Sequence, residues 1–235
     1  MKLRLPVFVL LCLVWVAPAA QAPGDLLKST FDKMDAASAK FKGMTAEVKR
    51  INHINSIGEN DVETGTVAVK RTKPRDLRMR ADVQEPDRRM ICFADRRGEV
   101  YNPKTNTVQI YGVSRKDSAV AEQFLLLGFG SSAADVQDGY TVKLGGEEQL
   151  NGMKTARLEL TPKSRDKLGT VTKIELWISE TTDTAGLAVQ QKFHQLGNDY
   201  NLVTYTNIKL NPNLADSAVK CEVPKDAVKE YPTGH

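Results

Sequence analysis

Three histidines are the first residues to weigh for chemistry, and their positions give a catalyst little to work with. His235 is terminal, His53 lies in a polar stretch, and His194 alternates with Lys192 and Gln190 on what reads as a solvent face. General acid–base or zinc chemistry needs such groups clustered at fixed spacing. The chain holds no H-E-x-x-H, G-x-S-x-G, Walker or C-x-x-C motif. Gly128-Phe129-Gly130-Ser131-Ser132 has the look of a phosphate loop, but no lysine follows it and an apolar run rather than a strand precedes it. It reads as a hinge or a helix end. The basic run Lys70-Arg71-Thr72-Lys73-Pro74-Arg75 is offset by Asp76, Asp82, Glu85 and Asp87, which argues against a nucleic-acid partner. The residues therefore point away from an enzyme, a metal site and a cofactor.

What remains is an excess of apolar side chains on one side of a long run of strands. Such a face is either packed solid against helices or left partly open to a ligand. Methionines at 79, 90 and 153 suit an irregular ligand, since the thioether chain adapts its shape. Composition alone leaves both readings open.

The elements that must carry this face are legible in the periodicity. Leu27, Phe31, Met34, Ala37 and Phe41 repeat at helical spacing, so residues 25–41 read as an amphipathic helix ended by Gly43. The period then changes to two, and strand-like runs follow at short intervals: 44–48, 67–69, 77–82, 90–94, 99–101, 108–111, 140–144, 155–161, 171–179, 187–195 and 201–210. Turn residues such as Asn102-Pro103, Gly145-Gly146, Asn151-Gly152 and Gly197-Asn198 divide them. Short strands without intervening helices mean an antiparallel sheet, either sandwich or barrel. The exception is Asp117–Gly128, an apolar helical stretch in mid-chain. A sheet with two apolar helices is expected to curl around them.

The apolar residues are unevenly spread over the 235-residue chain. Lys2 and Arg4 precede an unbroken apolar run from Val7 to Val16, and Ala17-Pro18-Ala19 offers a small-residue cut site. That order is a secretory signal peptide, with cleavage expected after Ala19. Its apolar run of about ten residues is too short to cross a bilayer as a helix. Residues 1–19 read as the signal and 20–235 as a single exported domain. Without Lys2 and Arg4 the formal charge of +4 falls to +2, which is no nucleic-acid signature. In an oxidising compartment Cys92 and Cys221 are either one disulfide or two separate buried thiols.

Several stretches then match in order and spacing: Val69-Lys70-Arg71 with Pro74, Asp95 through Tyr101-Asn102-Pro103, Leu160-Thr161-Pro162-Lys163, Ile174-Glu175-Leu176-Trp177-Ile178, and Val223-Pro224 before a polar tail. Over nearly all of residues 25–228 the chain resembles the LolA family of periplasmic lipoprotein carriers. The resemblance implies a mainly β fold: a strongly curved, unclosed antiparallel sheet, or half-barrel, covered by an N-terminal helix and a mid-chain lid helix. It implies an apolar cavity for acyl chains, placed here at Leu77, Met79, Met90, Ile110, Leu158, Leu160, Ile174, Leu176, Ile178, Phe193, Leu202 and Ile208. The lid falls on Phe124, Leu125, Leu126, Leu127 and Phe129, hinged at Gly128 and Gly130. In the family an arginine directly before the strand's proline latches the lid; here Lys73 stands there and Arg71 two residues earlier, so both are latch candidates.

The resemblance further implies a periplasmic monomer without catalysis, acylated lipoprotein or lipid as cargo, and partners in an inner-membrane ABC transporter and an outer-membrane receptor. A sensor or interaction module on the same fold is the alternative.

Overall fold

The computed structural model describes residues 23–73, 76–112, 127, 129–164 and 170–232. Helix α1 (Pro23–Lys40) forms where apolar residues repeat at helical spacing. Pro23 tolerates the first turn, and Asp25 and Lys40 lie at the ends where the helix dipole favours their charges. Asn211 closes the far end. Its Nδ2 donates to the Lys40 carbonyl at 2.9 Å, and its Oδ1 accepts from the Lys42 amide at 2.7 Å.

The strands are β1 (Gly43–Ile54), β2 (Glu59–Lys73), β3 (Asp76–Glu85), β4 (Arg89–Ala94), β5 (Arg97–Asn102), β6 (Thr107–Gly112), β7 (Tyr140–Leu150), β8 (Met153–Pro162), β9 (Val171–Ser179), β10 (Ala188–Gln195), β11 (Tyr200–Leu210) and β12 (Val228–Glu230). They form one unclosed sheet in the order β12-β6-β5-β4-β3-β2-β1-β11-β10-β9-β8-β7. Every pairing is antiparallel except the short β12 against β6. The mainly β class and the open antiparallel sheet over an N-terminal helix are those expected from the sequence.

Two antiparallel meanders, β1–β6 and β7–β11, meet at one seam where β1 pairs with β11. This seam dictates the rest. Strands β6 and β7 are thrown to opposite sides of the sheet, so the chain between them must recross it. Residues Ala133–Gly139 form a short helix, α2, at the end of that return. The C-terminal tail makes a second crossing on the other face. Lys70 Nζ donates to the Leu214 carbonyl at 2.7 Å, Cys221 is disulfide-bonded to Cys92, and the tail ends beside β6 as β12.

Three local features depart from the sequence reading. Strand β7 does not stop at Gly145-Gly146 but runs through it to Leu150 with a register shift between Leu144 and Gly146. Gly146, at φ +119°, absorbs the bulge that alternation alone does not reveal. Helix α2 and strand β12 are too short for periodicity to signal. The apolar helix expected over Asp117–Gly128 lies, apart from Leu127, outside the described residues, as does the signal segment 1–19. No helix among the described residues is long and apolar enough to cross a membrane.

The turn between β9 and β10 fits against α1 only because it holds a glycine. Gly186 sits at φ +82°, and a Cβ there would overlap the Lys33 carbonyl oxygen. Gly186→Ala combines left-handed strain with a backbone clash, and should cost about 2–4 kcal/mol. Urea titration followed by circular dichroism would read this as a lowered midpoint; an unchanged midpoint would refute the packing.

Candidate functional site

Cross-strand register sorts the apolar residues onto two faces. On the face that carries α1, Leu158, Leu160, Ile174, Leu176 and Ile178 are fully buried together with Phe193, Met34 and Leu127. Leu27 and Phe31 of α1 pack on them. Beside this cluster lies a second, of Phe41, Met44, Val67, Val69, Leu77 and Phe129, with Met79, Ala81, Tyr205, Ile208 and Leu210 only partly covered. Nine of the twelve residues placed in the cavity from sequence thus share the helix-side face.

The other three do not. Met90 pairs with Asp82 and Tyr101, and Ile110 with Glu99, on the opposite face; there they pack with Val108, Val223 and Ala227 beneath the C-terminal tail. Leu202 pairs with Lys192 and Ile51, whereas its neighbour Val203 takes the helix side. Alternation fixes which residues share a face but not which face a strand turns inward, and these three positions fall on the wrong side of that ambiguity.

The helix-side apolar band has a defined end. Along β1 the sequence Ala46, Val48 gives way to Arg50, along β2 Val67, Gly65 gives way to Glu63, and along β4 Phe93, Ile91 gives way to Arg89. The Glu63 carboxylate pairs with Arg50 at 3.0 Å and with Arg89. A row of paired charges therefore closes one end of the band.

Leu127 and residues 129–139 lie over this band and are held at successive points. The Leu127 carbonyl accepts from Gln191 Nε2, and Gln191 in turn accepts from Tyr205 Oη at 3.4 Å. Phe129 meets the Tyr205 ring edge-on, centroids 4.6 Å apart. The Gly130 carbonyl accepts from Arg71 Nη2 at 2.9 Å and from Ser38 Oγ at 2.6 Å. Arg71 Nη1 also reaches the Ser38 carbonyl at 3.2 Å, and its guanidinium lies over Phe41. Asp35 accepts the Ala133 amide at 2.7 Å, and Ser132 and Asp135 cap α2 reciprocally. Burial draws the Arg71 guanidinium below its ordinary pKa, with Asp135 opposing the shift, and burial alone pushes the Tyr205 hydroxyl up. Of the two latch candidates, Arg71 makes these bonds; Lys73 is exposed at the end of β2. Leu127 and Phe129 are buried, at 0% and 4% exposure, so they anchor the cover rather than sweep over it. Phe124, Leu125 and Leu126 lie outside the described residues.

Gln191, Ser38 and Asp35 were not legible as site residues. The only available signal was the capping-box spacing of Ser132 and Asp135, masked by the glycines before it. On the opposite face His194 is not free: its Nε2 pairs with Glu175, which also binds Arg157 at 2.8 Å. Burial would raise the Glu175 carboxyl, but His194 and Lys173 outweigh it and the net shift is downward. Among the described residues no group of three or more His, Cys, Asp and Glu could hold a metal.

No protein-family model and no curated protein matches the chain. Solved structures do. An uncharacterized conserved protein from Thermus thermophilus aligns with a TM-score of 0.53 at 15% identity, covering 88% of this chain and 99% of that one. The lipoprotein LppX of Mycobacterium tuberculosis aligns with a TM-score of 0.52 at 12% identity, covering 82% and 99%. A LolA superfamily protein from Nitrosomonas europaea matches at 14% identity, covering 83% and 97%, with a TM-score of 0.43. The fold is shared with the Thermus protein and with LppX. At these identities the likeness is one of fold, and the cover at Leu127 and residues 129–139 is read from this chain's own contacts.

Two outcomes follow. Arg71→Ala should raise hydrogen exchange across residues 130–139 at least about tenfold while β8–β10 stay protected, and Arg71→Lys should not restore it, because an ammonium cannot reach two carbonyls with a planar fork. The Glu175 contribution is present above the ordinary carboxylate pKa of 4.5 and is lost as pH falls through its lowered folded value. Glu175→Gln should therefore cost about 1–3 kcal/mol at neutral pH and flatten the acid-denaturation curve below about pH 4.5.

Proposed function

We propose that this protein is an exported, non-catalytic binder of acyl chains that carries a lipoprotein or lipid through the periplasm, as one domain following a signal peptide. The observation that supports this reading is the uneven cover of the helix-side face. Leu158, Leu160, Ile174, Leu176 and Ile178 are sealed, whereas Met79, Ala81, Val142, Leu144, Val203 and Ile208 keep part of their surface accessible beside a crossing segment. Each methylene moved from water onto such a surface gains about 0.8 kcal/mol, so an acyl chain of a dozen carbons gains about 10 kcal/mol before the cost of ordering it. The sealed cluster provides the stability and the partly covered cluster provides the ligand surface.

The cover suits a carrier that must also release. Arg71, Ser38 and Gln191 hold Leu127 and Gly130 through their backbone carbonyls, bonds that exchange readily with water once the segment shifts. Arg71 thereby takes the part of the latch. Transfer from an inner-membrane transporter to an outer-membrane receptor is the cycle in which such a binder would serve. Fold neighbours with lipoprotein-related names point the same way only through shared architecture.

Incubation with a fluorescent fatty acid and gel filtration should give co-elution. Met79→Asp should reduce binding at least about tenfold with little loss of folding, since its surroundings are only partly covered, whereas Leu158→Asp should unfold the protein. Absence of co-elution for the wild type would overturn the acyl-binding reading and favour an envelope interaction module.

A further inference from the structure

Beyond the helix-side apolar band, charge changes sign in a fixed order along the strands. On this face β1 and β2 pair Val48 with Gly65, then Arg50 with Glu63, Asn52 with Asp61 and Ile54 with Glu59. Arg89 of β4 joins the second of these rows through Glu63. That row holds two guanidiniums and one carboxylate. The Arg50 and Arg89 side chains keep 41% and 23% of their surface exposed against 14% for Glu63, so the row presents guanidinium to a guest. The charges of the next two rows on these strands are both negative. They are Asp61 and Glu59, exposed and in no ion pair among the described residues.

Two buried polar atoms in these rows have no hydrogen-bond partner, and they are of opposite kinds. Arg50 Nε lies 3.0 Å from Glu63 Oε2, but its N–H is not aligned on that oxygen and makes no hydrogen bond. Asn201, which pairs with Asn52 one row further out, leaves its Oδ1 without a donor. Leaving a buried donor or acceptor unpaired is costly, and folded proteins satisfy nearly all of them. An oxygen acceptor would satisfy the first row and an N–H donor the second. The rows lie two residues apart along the strands, or about 7 Å.

An acyl guest lying on the partly covered Met79 and Ala81, with its head at this end, meets apolar, cationic and anionic groups in that order. A phosphoethanolamine head has the matching order of acyl chain, phosphate and ammonium. Phosphate oxygens accept well from guanidinium, and a primary ammonium brings three N–H donors. We propose, building on the acyl-binding reading, that the guest is a glycerophospholipid with a primary-amine head. Its phosphate sits on Arg50 and Arg89, and its ammonium on Asn201 Oδ1 with Asp61 and Glu59 beyond. Other heads match less well. A fatty-acid carboxylate brings acceptors and no donor. A choline head carries its positive charge without an N–H, and a glycerol head offers a hydroxyl donor without charge. The amide and ester groups of an acylated cysteine bring no charge to either row.

Four fluorescent lipids with the same labelled acyl chains test this: phosphatidylethanolamine, phosphatidylcholine, phosphatidylglycerol and diacylglycerol, each titrated against the full exported domain. Phosphatidylethanolamine should bind at least about tenfold more tightly than the other three. Asp61→Asn combined with Glu59→Gln, both at exposed positions, should bring the ethanolamine and glycerol heads to within about twofold of each other, with circular dichroism unchanged. Arg50→Gln should weaken phosphatidylethanolamine at least about tenfold and leave diacylglycerol unaffected, a difference that a merely structural role would not produce. Equal binding of all four lipids, or a preference that survives both sets of substitutions, would overturn the head-group assignment and leave the acyl reading in place. Binding of none would overturn both. Displacement by a triacylated lipopeptide at lower concentration than by unlabelled phosphatidylethanolamine would overturn the phospholipid assignment in favour of a lipoprotein guest.

Discussion

The pairing of β1 with β11 is the constraint on which the molecule depends. It joins Met44 to Leu210 and His53 to Tyr200, near opposite ends of the chain, and places the two meanders on either side of one seam. Once that seam exists, the chain has to travel from one side of the sheet to the other between β6 and β7, and again after β11. The two crossings lie on opposite faces, and each covers apolar side chains that a bare sheet would expose. Leu127 and residues 129–139 cover the helix side together with α1, and the tail covers Met90, Val108 and Ile110 on the other.

The crossings differ in how they are fixed, and the difference carries the functional argument. The tail is held covalently through Cys92 and Cys221 and by Lys70, which bonds both Leu214 and Asp216. The helix-side crossing is held by hydrogen bonds to carbonyls and by two anchoring side chains, Leu127 and Phe129. One cover is permanent and one is exchangeable. An acyl chain needs the second kind, because a fully sealed apolar face binds nothing and an uncovered one aggregates.

Much of this was legible in the sequence because it rests on local period. The helix of residues 25–41 and eleven strand-like runs all correspond to elements, since alternation and 3.6-residue spacing are set by the backbone alone. The face of each strand was less secure. Met90, Ile110 and Leu202 obey the same alternation as Leu77 or Leu176, and only the path of the tail decides that Met90 and Ile110 belong to another core. Contacts made at long range were not legible at all. Gln191 reads as one more polar residue in Gln190-Gln191-Lys192, and its bond to Leu127 spans 64 positions. Arg71 stood out as a latch candidate only through resemblance, and the Ser38 and Gly130 carbonyls it joins have no side-chain signature.

The disulfide has a mechanical meaning for the sheet. It closes a loop between positions 129 apart, riveting the tail to β4 and so to the β3–β6 quarter of the sheet. That quarter is stiffened from behind. The β7–β11 side carries no such rivet, and its hold on α1 runs through side-chain packing and the Lys33–Glu180 pair. In the acyl-binding reading, the partly covered residues Met79 and Ala81 would therefore offer a guest a surface on the strands that the disulfide backs, while the sheet's free edge lies at β7.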